Sequence, residues 1–472
     1  MLVAFSDLHL SDETTSVNVH QDAFKRILKN LIVVNRDKER DRSTTRIKEI
    51  IIVLLGDIFD FVRTDYWLDE NNLKPEERPW NGSLNKSTGM NEDKNLEKHY
   101  SKVLDGIFNT ESSIGFFETL NTIKESSSIP VNIVYVVGNH DRVLNNFPSL
   151  KDRIAEKLDR YSYKLKGKED EIKFVNEYRN DDYALFCRHG HEWDKDNYGY
   201  EFYKLLNNKN KHQTDMFDKC ISKVQSVGEV ITCELMSGII YRLKSVVQKD
   251  FLNTIKNLNN VRPMADSFSW LYWFGSGVKS GQSKDRDTLF EVFKESLRFV
   301  LISDLAKKWD ETKFIDITEG FKTLLFLIND LDFKKASGRV KFLNSVNKAI
   351  SKFRVPKDML LDGAAEDFAK INPQLDTNSK TLKTQYILYG HTHEARNDYI
   401  NGYVNGSVEM YINTGTFLPY IQRTSNDSFA SAHQMTIVFI YRRDEDTEGN
   451  TDNANPTLEL WNGIKRKEYK VR

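Results

Sequence analysis

Five short stretches gather the residues that bind metals, protons or phosphates: SDLHL from Ser6, GDIFD from Gly56, GNHD from Gly138, RHGH from Arg188 and GHTH from Gly390. Together they hold Asp7, His9, Asp57, Asn139, His189, His391 and His393. Two carboxylates, one amide oxygen and four imidazoles suit two divalent ions of intermediate hardness: Mn²⁺ first, Fe or Zn²⁺ as alternatives, Co²⁺ in vitro. No thiolate is among them, which argues against a structural zinc site, and the imidazoles are too many for calcium. Any one histidine of this kind is more often a hydrogen-bonded structural residue than a ligand. The five clusters together carry the reading.

The elements that must position these clusters are short apolar runs: Leu2–Phe5, Ile50–Leu55, Val131–Val137, Ala184–Cys187 and Tyr386–Tyr389. Each reads as a strand of a sheet covered on both faces, and each runs straight into one cluster. In α/β sheets ligands sit beyond the carboxyl ends of the strands, so five polar strand ends predict one shared site. Gly56, Gly138 and Gly390 would let the chain turn sharply there and bring backbone close to the ions. Strand patterns return near the end as MYINTGTF, QMTIVFIYRR and TLELWNG, with DEDTEGNTDNANP as a solvated hairpin tip between the last two.

Between the strands the chain changes character. Residues 62–100 are polar, with Pro75 and Pro79, and read as an excursion at the rim of the site. Residues 195–380 are mostly helical by pattern: 287–309 and 338–354 both repeat apolar positions at three and four. The organisation expected is a core in two parts, 1–194 and 381–472, with a helical insert or cap at 195–380.

In this order the clusters resemble the five-motif signature of the calcineurin-like metallophosphoesterase superfamily. INTGTF (412–417) also resembles the Asn-x-Gly-Ser turn that follows the last motif in many members. The resemblance implies a four-layer αββα sandwich, with two mixed sheets flanked by helices and the helical insertion over the site. It implies that Asp7, His9 and His393 hold one metal, that Asn139, His189 and His391 hold the other, and that Asp57 bridges them. His189 is preferred to His191 because members usually ligate through the first histidine of the HG-x motif; His191 would be a neighbour of the ligands or face substrate. His140 would protonate or stabilise the leaving oxygen, with Asp60 orienting it, a role worth about 10²–10⁴-fold in rate. Asp141 reads as a support for the loop.

The activity implied is that of a phosphohydrolase, a phosphodiesterase first. Two ions about 3.5–4 Å apart would generate a bridging hydroxide for in-line attack on a phosphoester or pyrophosphate. One branch it resembles is UDP-2,3-diacylglucosamine hydrolase-like, although that branch carries Arg at the position of His140 and a much shorter insert. A second is the GNHD-containing nuclease group. A third covers nucleotides, cyclic nucleotides and phosphoproteins. A non-catalytic scaffold of the same fold is the reading from another class; the intact ligand set and the His140/Asp60 pair argue against it.

Bulk properties bound the partners. Lys+Arg 68 against Asp+Glu 69 gives a net charge of -1, so nucleic acid is not indicated by charge. Cys187, Cys220 and Cys233 fit neither a zinc knuckle nor a disulfide framework and read as incidental thiols in a reducing compartment. No run is long and apolar enough to span a membrane, and MLVAF meets Asp7 too soon for a signal peptide, so a cytoplasmic location is expected. Arg63, Arg142 and Arg188 flank the motifs as phosphate clamps or surface salt bridges. SFSWLYWFGSG (267–277) is either an aromatic lid or part of a helical core.

Overall fold

The computed structural model describes the chain except for residues 38–46, 160–171, 210–214, 278–282, 313–321, 323–357, 373–382, 405–406, 427, 443, 446–455 and 468–472. The helix expected at 338–354 and most of the hairpin tip lie outside the described residues. The five apolar runs are β1 (Leu2–Phe5), β2 (Ile50–Leu55), β3 (Val131–Val136), β6 (Leu185–Arg188) and β7 (Tyr386–Tyr389). Every residue of β2 is buried, as expected of Ile- and Val-rich sequence covered on both faces. The later runs form β9 (Ser407–Arg423), β10 (Phe429–Tyr441) and β11 (Thr457–Lys467). Three further strands were not read from the sequence: β4 (Ile172–Val175), β5 (Glu177–Asn180) and β8 (Ala395–Val404).

Among the described residues the strands form one mixed eleven-stranded sheet rather than two separate ones. Its order is β4-β3-β2-β1-β10-β9-β7-β6-β5, with β11 added to β10 and β8 to β9. Strands β1 to β4 are parallel, and β6, β7 and β9 are parallel. The long β9 explains the single sheet: Met410–Asn413 pairs with β7, whereas Gly415–Arg423 pairs with β10. Its change of partner falls next to Gly415, whose φ of 65° gives the left-handed kink that glycine adopts at no steric cost.

Three apolar clusters follow from the alternation of side chains along these strands. Ala4, Val53, Leu55 and Val136 face Leu185, Cys187, Leu388 and Ile412 in one. The opposite faces of β1 to β3, with Val3, Phe5, Ile52 and Tyr135, pack against Phe24, Phe116, Leu120 and the insert helices. Phe186, Ile387, Tyr389 and Tyr411 pack against Leu360, Ala364 and Phe368 of the helix Met359–Ile371. All five motif strands therefore end in the same direction between these layers.

The described part of 195–380 is mostly helical, with turns between the helices. The pattern at 287–309 gives two helices, Ser283–Ile302 and Asp304–Trp309, because Ser303 leaves the helical conformation and its hydroxyl caps the second by accepting from Ala306 N–H. Ser267–Gly277 is a helix whose Trp270 and Phe274 are buried, with Trp273 packed 5.5 Å from Phe429. The aromatic stretch is thus core rather than an exposed lid.

Residues 62–100 contribute buried side chains of their own. Trp67, Leu73, Trp80 and Met90 are buried. Glu234 of the insert accepts from Arg78 Nη1 at 2.7 Å and from Trp80 Nε1 at 2.9 Å, all three groups buried. Removing one partner of such a pair strands a buried charge, so Glu234→Ala is expected to cost ~3–5 kcal/mol in urea unfolding. A loss under about 1 kcal/mol would mean that this contact does not hold the insert to the excursion.

Candidate metal centre

Strand ends bring all seven sequence-predicted ligands together. Asp7 Oδ1 lies 3.6 Å from His9 Nε2 and 3.4 Å from His393 Nε2. His9 Nε2 and His393 Nε2 stand 2.9 Å apart. Asp57 Oδ2 is 3.7 Å from His9 Nε2 and 3.2 Å from His189 Nε2, so this carboxylate faces both halves of the cluster. Asn139 Oδ1 lies 3.1 Å from His391 Nδ1. The groupings Asp7/His9/His393 and Asp57/His189/His391 each converge tightly enough to share one ion.

Local sequence explains the convergence. Asp7, His9, Asp57, His391 and His393 have φ between 44° and 72°, a left-handed conformation that side-chain-bearing residues adopt at a cost. Close backbone approach is also required. A Cβ on Gly138 would overlap Asp57 Oδ1, and a Cβ on Gly56, itself at φ 82°, would overlap the His189 ring. Hydrogen bonds then fix the loops. Asp141 accepts from Gly138 N–H, Ile58 N–H and the Tyr135 hydroxyl, which makes it the brace of the GNHD turn. Asn413 Nδ2 donates to the Gly390 carbonyl and Thr416 Oγ1 to the Asp7 carbonyl, both at 2.6 Å, so INTGTF buttresses two ligand loops from within β9.

The outer contacts choose which ring nitrogen is free. His9 Nδ1 is 2.8 Å from Asp60 Oδ2, His189 Nδ1 is 2.9 Å from the Leu55 carbonyl, and His391 Nε2 is 3.0 Å from Asp194 Oδ2. Each such bond places a proton on that nitrogen and turns the other, as a lone pair, into the cluster. Asp7 Oδ1 and His189 Nε2 are buried and make no hydrogen bond. Buried polar atoms of that kind are costly unless something else meets them. These unpaired acceptors and paired imidazoles form His/Asp groups that could hold metal ions; His393 differs from the other three histidines, because Arg262 Nη2, which can only donate, lies 2.6 Å from its Nδ1 and leaves the proton of the neutral ring on Nε2.

Charges within the cluster act against its burial: without metal, burial lowers the His189 imidazole, but Asp57 and Asp7 raise it to about 10. Burial pushes the Asp57 carboxyl up, but His189, His140 and His9 more than offset it and hold it well below the carboxylate range. Asp60 is likewise held down, against burial, by His140 and Arg63. Burial lowers His140, but Asp60 and Asp57 raise it above its ordinary value. Its Nδ1 lies 3.0 Å from Asp60 Oδ1, and with 12 % of its side chain exposed it stands at the open side of the centre.

Among the neighbouring residues, His191 lies beside the ligand histidines, whereas the arginines depart from the sequence reading. His191 is buried against Tyr198 and pushed down to about 4, mainly by burial; His189, not His191, meets Asp57. The flanking arginines are neither surface bridges nor open clamps. Arg142 forks onto Glu229 at 2.7 and 3.0 Å, Arg188 lies 3.0 Å from Asp367 and over the Phe217 ring, and Arg63 Nε lies 3.1 Å from Asp60, all buried. Cys187 and Cys233 are buried free thiols and Cys220 is an exposed one. Asp194 and Arg262 escaped the sequence reading. Asp194 follows the HGH motif closely enough to have been weighed; Arg262 comes from the insert, where no motif marks it.

Metal addition to the stripped protein is expected to raise its melting temperature. At a hundredfold excess over Kd each ion contributes ~2.7 kcal/mol. Unchanged melting with Mn²⁺, Zn²⁺ and Fe²⁺ would rule out the centre. No helix among the described residues is long and apolar enough to cross a membrane. A comparison with protein-family models finds none that matches the chain, and a comparison with curated proteins likewise finds no match.

Proposed function

We propose that the protein is a cytoplasmic, dinuclear-metal phosphohydrolase of the calcineurin-like metallophosphoesterase type, acting first on phosphodiesters. The observation that carries this reading is the position of Asp57, whose Oδ2 lies 3.7 Å from His9 Nε2 and 3.2 Å from His189 Nε2, with the His140/Asp60 pair beside it. The four-layer sandwich belongs to the same proposal. It is supported by the three apolar clusters, one between the two halves of the sheet and one on each outer face.

Asp7, His9 and His393 would hold one ion, Asn139, His189 and His391 the other, and Asp57 both. Two such ions, Mn²⁺ first, would supply Lewis acidity, charge neutralisation and an activated water. The chain's own groups do the rest. His9 and Asp57 are held in place by Asp60 and by the His140 N–H, which donates to Asp57 Oδ1 at 2.8 Å. His140 carries a proton toward the leaving oxygen, and Asp60 keeps its ring turned.

The test is hydrolysis of bis-p-nitrophenyl phosphate and p-nitrophenyl phosphate, side by side, by stripped protein resupplied with Mn²⁺. Mn²⁺-dependent turnover with the diester preferred is expected. Silence on both substrates with two ions bound would favour the scaffold reading.

A further inference from the structure

Arg262 reaches the centre from the insert. The segment Lys256–Asn260 leads into Val261, which bridges to Ile421 of β9, and Arg262 N–H donates to the Ile421 carbonyl at 2.8 Å. The residue is 8 % exposed. Its Nη1 donates to the Asn259 and Val261 carbonyls, both at 2.9 Å, and its Nη2 donates to His393 Nδ1 at 2.6 Å. A guanidinium has donors only, so Nδ1 is the bare nitrogen of the His393 ring and Nε2 carries the proton.

That proton stands where a ligand needs a lone pair. His9 Nδ1 is 2.8 Å from Asp60 Oδ2, which leaves His9 Nε2 as an acceptor 2.9 Å from His393 Nε2. Donor and acceptor therefore match along a whole row, from Arg262 through His393 and His9 to Asp60. Members of such a chain polarise and strengthen one another. The row crosses the Asp7/His9/His393 group, one of the two expected to hold an ion. Ligation through Nε2 moves the ring proton to Nδ1, against a guanidinium that has nothing to accept it. The buried positive charge of Arg262 also opposes a second cation so close by. The other group is free of this conflict: His189 Nδ1 meets the Leu55 carbonyl, and its Nε2 is buried without a hydrogen-bond partner.

We propose that Arg262 is a positioning residue that closes the Asp7/His9/His393 group: its guanidinium holds His393 with the ring proton on Nε2, and an ion enters that group only when Arg262 lets go. This rests on the metal-centre reading and makes its two positions unequal, with the weaker one under the control of the insert. The guanidinium that holds His393 also ties the Asn259 and Val261 carbonyls, so its release loosens residues 256–262 on β9. By reciprocity, anything that presses this segment onto β9 weakens that ion. Glu394 is exposed and close enough to act electrostatically on Arg262, so it offers the released guanidinium a carboxylate in solvent.

The experiment measures Mn²⁺ binding to stripped wild type, Arg262→Gln and Arg262→Met by equilibrium dialysis and plasma mass spectrometry. Wild type is expected to bind one ion tightly and a second at least about tenfold more weakly. Either substitution removes the donor and should tighten the second ion by about 10–100-fold while moving the first less than about threefold. A merely structural contact would weaken binding when lost, not tighten it. Hydrogen exchange of residues 256–262 in wild type needs no variant, and it should quicken as the second ion binds but not with the first. Two equal ions in wild type, a second ion unchanged or weakened in folded variants, or a segment whose exchange ignores the second ion would each overturn the proposal. Binding of no ion by any of the three proteins would defeat the metal centre itself, and the role of Arg262 with it.

Discussion

Asp57→Asn is expected to lower Mn²⁺-dependent hydrolysis of bis-p-nitrophenyl phosphate by at least about 10³-fold and to leave the protein with fewer than two bound ions. The substitution changes charge and one donor, not shape. Asp57 is 1 % exposed. Its Oδ1 accepts from His140 N–H, so the introduced amide would keep its oxygen there and turn its NH₂ toward His189 and His9. That replaces an anionic acceptor with a donor, at the position facing both ligand groups. The fold should survive, because the carboxylate is surrounded by imidazoles rather than apolar packing, and circular dichroism would verify it. Activity and metal content by plasma mass spectrometry decide the matter. Full activity with two ions retained would sink the assignment of Asp57 as the bridge.

The site was more legible in the sequence than the fold around it. Strand ends β1, β2, β3, β6 and β7 were visible because buried parallel strands are short, mainly apolar runs that stop at glycine or a polar cluster. The strands β4, β5 and β8 were not, since IKFV, EYRN and ARNDYINGYV are short or polar and take their conformation from a neighbour in the sheet. The single sheet could not be read because β9 is one strand whose two ends serve different partners, and only Gly415 hints at the change. Arg142 and Arg188 looked like surface groups because their partners, Glu229 and Asp367, lie in the helical insert far along the chain. Arg262 was invisible for the same reason. A residue that reaches a site from an insertion is placed by tertiary docking, here on Ile421, and carries no local signature.

His140→Ala separates proton transfer from metal binding. The expected loss in kcat is about 10²–10⁴-fold on an ester with an alkyl leaving group, with both ions retained. With p-nitrophenolate leaving, which needs little protonation, the loss should shrink toward about tenfold, because a general acid matters in proportion to the basicity of the oxygen it serves. His140 also lies in a group with His9 and Asp57 that could itself hold an ion, so the two roles make opposite predictions. A ligand would take metal with it and reduce both substrates alike. The geometry favours the acid: Asp60 holds Nδ1 at 3.0 Å, and the side chain stands at the exposed edge where a leaving group departs. Asp60 itself is a poorer probe, because it also contacts His9 Nδ1 at 2.8 Å and Arg63 Nε at 3.1 Å, so its removal would disturb a ligand, a cation and the acid together. A leaving-group-independent loss in His140→Ala, accompanied by loss of an ion, would move His140 from the acid's role into the metal shell.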